Sequence, residues 1–130
     1  MFRIRCIIPL AAGAAVLAAA GDASAAPGAA PPNGDPIRGK ALYQTCSGCH
    51  SLDENDVGPR HRGVVGRPAA SLPDYNYSPA LKASHLVWTR ANLDRWLTNP
   101  QALVPGARMF FSVRDPQTRA DIIAYLGEQR

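Results

Sequence analysis

Two thiols stand three residues apart with a histidine directly after the second, in Cys46-Ser47-Gly48-Cys49-His50. On one side of a helical turn, each thiol can form a thioether to one vinyl group of a haem, and the adjacent imidazole can reach the iron from the proximal face. Two rival chemistries also use cysteine pairs. A thioredoxin-like dithiol sits between a strand and a helix, whereas the residues before Cys46 pattern as helix. A zinc site takes four ligands, and no second cysteine pair completes one here, with only three histidines in the chain. The motif therefore points to one covalently attached haem c, with His50 on the iron.

A haem iron held by one histidine leaves a second axial position. Apart from the initiator, Met109 is the only methionine, and it follows Pro105-Gly106 and precedes Phe110-Phe111 in an apolar loop between helical patterns. A thioether ligand there raises the iron potential and fills the last coordination position. The alternative use of such a methionine is core filling. His61 and His85 are the other side chains able to replace it on the iron.

These residues must be positioned by helices. Asp35-Pro36 reads as an N-cap with proline in the first turn, opening a helix that runs toward the cysteine motif and buries Ala41, Leu42 and Tyr43. Residues 51–80 are rich in glycine and proline and predict irregular chain, with a short helix after Ser78. Thr89 caps a helix whose Leu93, Trp96 and Leu97 share one face and which stops at Asn99-Pro100. Asn99 itself caps a further short turn ended by Pro105-Gly106. The last helix starts at Asp115-Pro116, buries Ile122, Ile123, Tyr125 and Leu126, and is expected to close at Gly127. No period-two alternation is long enough for a sheet. The fold class is all-α: a small domain of helices and long loops wrapped around one covalent haem, the bulky apolar group providing the core that so few large side chains cannot.

Upstream lies a different kind of sequence. Met1-Phe2-Arg3-Ile4-Arg5 is a basic start, Cys6 to Ala20 is almost wholly apolar, and Ala23-Ser24-Ala25 fits a signal-peptidase site. The apolar run is shorter than the roughly 20 residues that cross a bilayer. Residues 1–25 thus read as a signal peptide cleaved near Ala25 and directing the chain to the periplasm, an uncleaved anchor being the alternative. Cys6 sits at the front of the run, which argues against lipid attachment there. Residues 26–34 form a Pro/Gly-rich linker, and residues 35–130 the domain.

The 130-residue chain carries a net charge of +4, with Arg well ahead of Lys. No basic run is long or aromatic-interleaved enough for nucleic acid. A docking surface for acidic redox proteins is the more natural use. Arg60, Arg62, Arg108 and Arg114 are candidates for a basic rim, against which Asp53, Glu54 and Asp56 work.

From Gly34 to Gln129 the chain resembles the class I cytochrome c family, in its soluble bacterial periplasmic and mitochondrial-type members. The resemblance rests on ordered motifs beyond the cysteine pair: Val57-Gly58-Pro59, Gly63-Val64-Val65-Gly66-Arg67, Tyr75 to Leu81, Leu86-Val87-Trp88, Leu97 to Pro100, Val104 to Met109, and Ala120 to Leu126. It implies His50 and Met109 as axial ligands and Pro59 as carbonyl acceptor for the His50 ring. It also implies that Arg67, Tyr77 and Trp88 donate to a buried haem propionate. Gly39 would let the first helix cross the last near Tyr125, with Tyr43 against Ile122, and Phe111 would cover the haem edge.

Several positions depart from the family pattern. Ala107 stands where a threonine is common, so one propionate contact is lost. Trp96 replaces a tyrosine near the methionine; its indole donates but cannot accept, which alters the tuning of the iron–sulfur bond. The loop Ser112-Val113-Arg114 is one residue short and lacks a glycine. His61 and His85 stand where an apolar residue and a glycine are more familiar. The implied function is that of a monomeric, non-enzymatic single-electron carrier between periplasmic or membrane redox partners. Two alternatives remain: a dedicated cytochrome subunit of a periplasmic oxidoreductase complex, and a peroxidase-like haem enzyme, which would require Met109 to be off the iron.

Overall fold

A computed structural model describes residues 32–130. The signal segment 1–25 and most of the 26–34 linker lie outside the described residues. Five α-helices carry the fold: α1 (Pro36–Leu42), α2 (Pro79–Ala83), α3 (Arg90–Thr98), α4 (Pro100–Leu103) and α5 (Pro116–Glu128). A single 3-10 turn, Tyr43–Thr45, extends α1 toward the cysteine motif. The architecture is the expected small all-α fold, and no described helix is long and apolar enough to cross a membrane.

The helices begin where side-chain oxygens satisfy their first free N–H groups. The Asp35 carboxylate accepts from the Ile37 and Arg38 N–H groups, Ser78 from Leu81, Thr89 from Asn92 and Asp115 from Thr118. Asn99 ends α3 and caps α4, accepting from Ala102. Proline occupies the first turn of α1, α2, α4 and α5, where its missing N–H costs nothing. One expectation fails. Gly127 does not close α5, which continues to Glu128. A Cβ there would meet only the exposed end of the Arg90 side chain, which can move aside.

The most extensive helix contact is α1 across α5. Gly39 makes it possible: a Cβ at this position would run into the Asp121 carbonyl and the Tyr125 side chain. Gly34 meets the Ala120 carbonyl in the same way, so the chain just before α1 also lies on α5. A polar knot ties the crossing. The Asp121 carboxylate, buried on α5, accepts from the Asp35 N–H at 2.7 Å, from the Arg38 guanidinium at 2.8 and 3.0 Å, and from Gln117 at 2.9 Å. Gln117 also reaches the Asn33 carbonyl at 3.0 Å.

Below the crossing the apolar core includes Tyr43, Leu81, Leu93, Leu97, Ile122, Ile123 and Leu126. The irregular stretch between the 3-10 turn and α2 is fastened by isolated backbone bonds. One of these is a β-bridge, Pro68 to Val87, the only strand-like pairing among the described residues.

Candidate functional site

A cavity of about 440 Å³ opens between the cysteine motif on one side and the segment around Met109 on the other. Cys46, Cys49, His50, Pro59, Arg67, Tyr77, Trp88 and Met109 all line it, together with the apolar Val64, Leu81, Leu93, Leu97 and Ile122. Every site residue expected from the sequence is thus gathered in one place.

The 3-10 turn delivers the cysteines. Backbone bonds from the Cys46 N–H to Tyr43 and from the Cys49 and His50 N–H groups to the Cys46 carbonyl wind the motif into one tight turn. The two sulfurs are not joined to each other in a disulfide. Burial raises the Cys46 thiol above its ordinary value, with the Thr45 hydroxyl opposing.

His50 is fixed from several sides. Its Nδ1 lies 2.8 Å from the Pro59 carbonyl, and a neutral ring donating there leaves Nε2 as the free lone pair, which is the arrangement an iron ligand needs. Burial lowers the ring below its ordinary value, against the Pro59 carbonyl and Asp56. The Gly58 backbone presses so closely that a Cβ would overlap the imidazole atoms. The His61 ring stacks on His50 at 4.0 Å between centroids and 22° between planes. His61 therefore belongs to the His50 side of the cavity, and His85 is exposed.

Arg67 and Trp88 come together through the β-bridge. The Trp88 N–H donates to the Arg67 carbonyl at 2.9 Å and the Gly66 N–H to the Trp88 carbonyl at 2.9 Å. The two side chains are thereby neighbours on paired segments. The Arg67 guanidinium donates to the Arg62 and Arg60 carbonyls at 3.0 and 2.9 Å, contacts with its own chain that the sequence did not suggest. Tyr77 is buried and meets Tyr75 edge-on at 4.7 Å. Trp88 is buried edge-on against Trp96, with 5.1 Å between centroids.

Met109 is presented by a loop that α4 clamps. Gly106 has φ +88°, a turn that glycine adopts without strain. Gln101 Nε2 donates to the Ala107 carbonyl at 2.7 Å and to the Met109 carbonyl at 2.9 Å, while its Oε1 accepts from the Gly106 N–H at 3.3 Å. The Trp96 indole N–H donates to Met109 Sδ at 3.1 Å. Beyond the loop, Arg119 on α5 binds Asp94 at 2.6 Å and the Val113 and Arg114 carbonyls at 2.9 and 2.8 Å. Gln101, Gly58 and Arg119 were missed in the sequence. Gln101 and Arg119 act largely on backbone carbonyls and Gly58 acts by the space it leaves for the His50 ring, none of which makes a motif; only the glycine before Pro59 gave a sign.

The donor set fits a haem: two cysteine sulfurs one turn apart, an imidazole with its outer nitrogen engaged, a thioether, and an apolar wall between them. Around the mouth, Val57 is 72% exposed, Phe110 78% and Phe111 51%. Of the candidate rim arginines, Arg60 pairs with Asp74 and Arg62 with Asp53. Arg108, exposed beside the cavity, donates to the Asn76 carbonyl.

Comparison with known proteins agrees with this geometry. The cytochrome c family model matches residues 37–129. Cytochrome c2 of Rhodopila globiformis is 50% identical over 103 residues, covering 76% of this chain and 96% of its own. Cytochrome c2 of Rhodomicrobium vannielii is 45% identical over 100 residues, 74% and 80% of the respective chains. Among solved structures, cytochrome cH from Methylobacterium extorquens superimposes with a TM-score of 0.70 at 43% identity, covering 72% of this chain and 98% of that one. The chain belongs to the cytochrome c family.

Proposed function

We propose that this protein is a single-electron carrier in which Cys46 and Cys49 hold one haem c and His50 and Met109 complete the iron. The observation that carries the reading is the single cavity that brings two thiols, an oriented imidazole and a thioether to one apolar wall. When bound, the haem supplies a one-electron ferric–ferrous couple. The chain's own residues keep that couple selective. With His50 and Met109 both holding the iron, no position would remain open for oxygen or substrate. Apolar walls from Val64, Leu93, Leu97 and Ile122 exclude water from the iron. Arg67, Tyr77 and Trp88 provide donors for a propionate that would otherwise be costly to bury.

The surroundings follow from the same reading. Residues 1–25 act as an export signal, cleaved near Ala25, and the mature protein works in the periplasm as a monomer. Donor and acceptor are redox proteins with acidic docking surfaces, met at the face where Arg108, Phe110 and Phe111 flank the cavity.

The test is spectroscopic and chemical. Acidified acetone should leave the haem on the protein, and the intact mass should include one haem. The ferric protein should show the weak long-wavelength charge-transfer band of sulfur ligation. Met109→Ala should abolish that band and lower the potential, since a thioether favours ferrous iron. Haem released by the solvent, or a band that survives the substitution, would overturn the assignment.

A further inference from the structure

His61 is a polar side chain in a position the electron-carrier function does not use. Its ring lies 4.0 Å from that of His50, 22° from parallel, and lines the same cavity. Its Nδ1 is 3.0 Å from the Tyr43 hydroxyl. Tyr43 is buried at the end of α1 and packs its ring against Tyr125 of α5, 5.3 Å away and tilted by 50°. The contacts form a continuous series from α5 to the proximal imidazole: Tyr125, Tyr43, His61, His50.

We infer that Tyr43 and His61 form a hydrogen-bonded pair that sets the ring plane of His50, with His61 as a positioning residue for the proximal ligand. The inference rests on the reading of His50 as that ligand. An imidazole torsion about Cβ–Cγ is broad and roughly two-fold, so the ring needs outside restraint to hold one orientation. The Pro59 carbonyl restrains one nitrogen, but a single hydrogen bond tolerates a broad range of angles and leaves the ring room to tilt about Cβ–Cγ. Gly58 limits the space on the ring without offering a flat surface. A stacked second ring supplies one. The stack is directional only if His61 is itself held, and the Tyr43 hydroxyl holds it at the one ring nitrogen within its reach. A branched aliphatic side chain at position 61 would fill the same volume but present no plane and take no hydrogen bond. Tyr43 sits where α1 crosses α5, so the orientation of the iron ligand is tied to the most extensive helix junction among the described residues.

The orientation of an axial imidazole governs how unpaired spin spreads over a ferric haem, and this gives a direct readout. The experiment compares the haem-loaded parent with His61→Leu, His61→Phe and Tyr43→Phe. It uses the paramagnetically shifted haem methyl resonances and the g-value anisotropy of the ferric state, with denaturation midpoints measured in parallel. His61→Leu should change the order or spread of the methyl shifts while the sulfur charge-transfer band persists. His61→Phe, which keeps a stackable ring, should restore much of the parental pattern at whatever stability it has. Tyr43→Phe should broaden or shift the pattern less than His61→Leu. A parental spectrum in folded His61→Leu overturns the inference, as does a stability loss in all three variants with no change in the methyl pattern. If the parent itself lacks the signature of His/Met ligation, the functional reading fails instead.

Discussion

At the scale of single residues, Trp96 bears most directly on what the iron does. Its N–H points at Met109 Sδ from 3.1 Å. The indole is locked edge-on against Trp88 and buried on α3. A thioether sulfur has two lone pairs, so one can face a metal while the other accepts this bond. An indole N–H cannot rotate away or turn acceptor as a hydroxyl can, so the donated proton stays in place in both oxidation states. It draws electron density from the sulfur, which disfavours the more demanding ferric iron and raises the potential. Trp96→Phe should therefore lower the midpoint potential while keeping the sulfur charge-transfer band. Only the difference in bond strength between the two oxidation states moves the potential, so the shift should not exceed roughly 20–40 mV, the one-electron equivalent of a whole net hydrogen bond of about 0.5–1 kcal/mol. Potentiometric titration of parent and variant decides it; an unchanged midpoint would mean that the indole is packing alone.

At the scale of elements, the junction of α1 and α5 depends on a charge. The Arg38 guanidinium first, and then the Asp35 N–H, hold the Asp121 carboxyl far below its ordinary value, with burial opposing. A carboxylate depressed in the folded state adds stability above its unfolded value, near 3.9, and loses it as pH falls through the folded value. Asp121→Asn should thus be less stable than the parent at neutral pH, and the gap should narrow as pH drops below about 4. Denaturation midpoints across that range test it, and a gap that stays constant to the lowest pH would assign the effect to geometry instead of charge. The helices at this junction were legible in the chain because their caps are local: Asp35-Pro36, Thr89, Asn99 and Asp115-Pro116 each satisfy N–H groups two or three residues on. The proposed ligands were legible because the motif and the one methionine beyond the initiator carry their chemistry in their identity. The clamps around them were not. Gln101 holds the Met109 loop through backbone carbonyls, and any residue type can supply a carbonyl. The Tyr43–His61 pair spans 18 positions, and nothing local links the two. A glycine near a helix end marks a cap where its backbone turns left-handed, and Gly127 is not among the glycines with positive φ.

For the whole molecule the open question is how one face finds its partner. The net charge of +4 is modest and falls to about +3 once residues 1–25, with Arg3, Arg5 and Asp22, are removed; of the four candidate rim arginines Arg108 alone lines the cavity, and Arg60 and Arg62 are paired with Asp74 and Asp53. Arg108 differs. It is exposed beside the cavity, donates to the Asn76 carbonyl, and forms no ion pair among the described residues. Steering by such a charge acts at a distance and weakens as salt shortens the screening length from about 10 Å at 0.1 M. Arg108→Glu should slow second-order electron transfer to an acidic redox partner at low salt and flatten the salt dependence, with the haem spectrum unchanged. Stopped-flow rates for parent and variant over a salt series provide the measurement. Equal rates and equal slopes would remove electrostatic steering from the account. Recognition would then rest on Val57, Phe110 and Phe111, whose exposure at the cavity mouth offers an apolar surface that salt does not weaken.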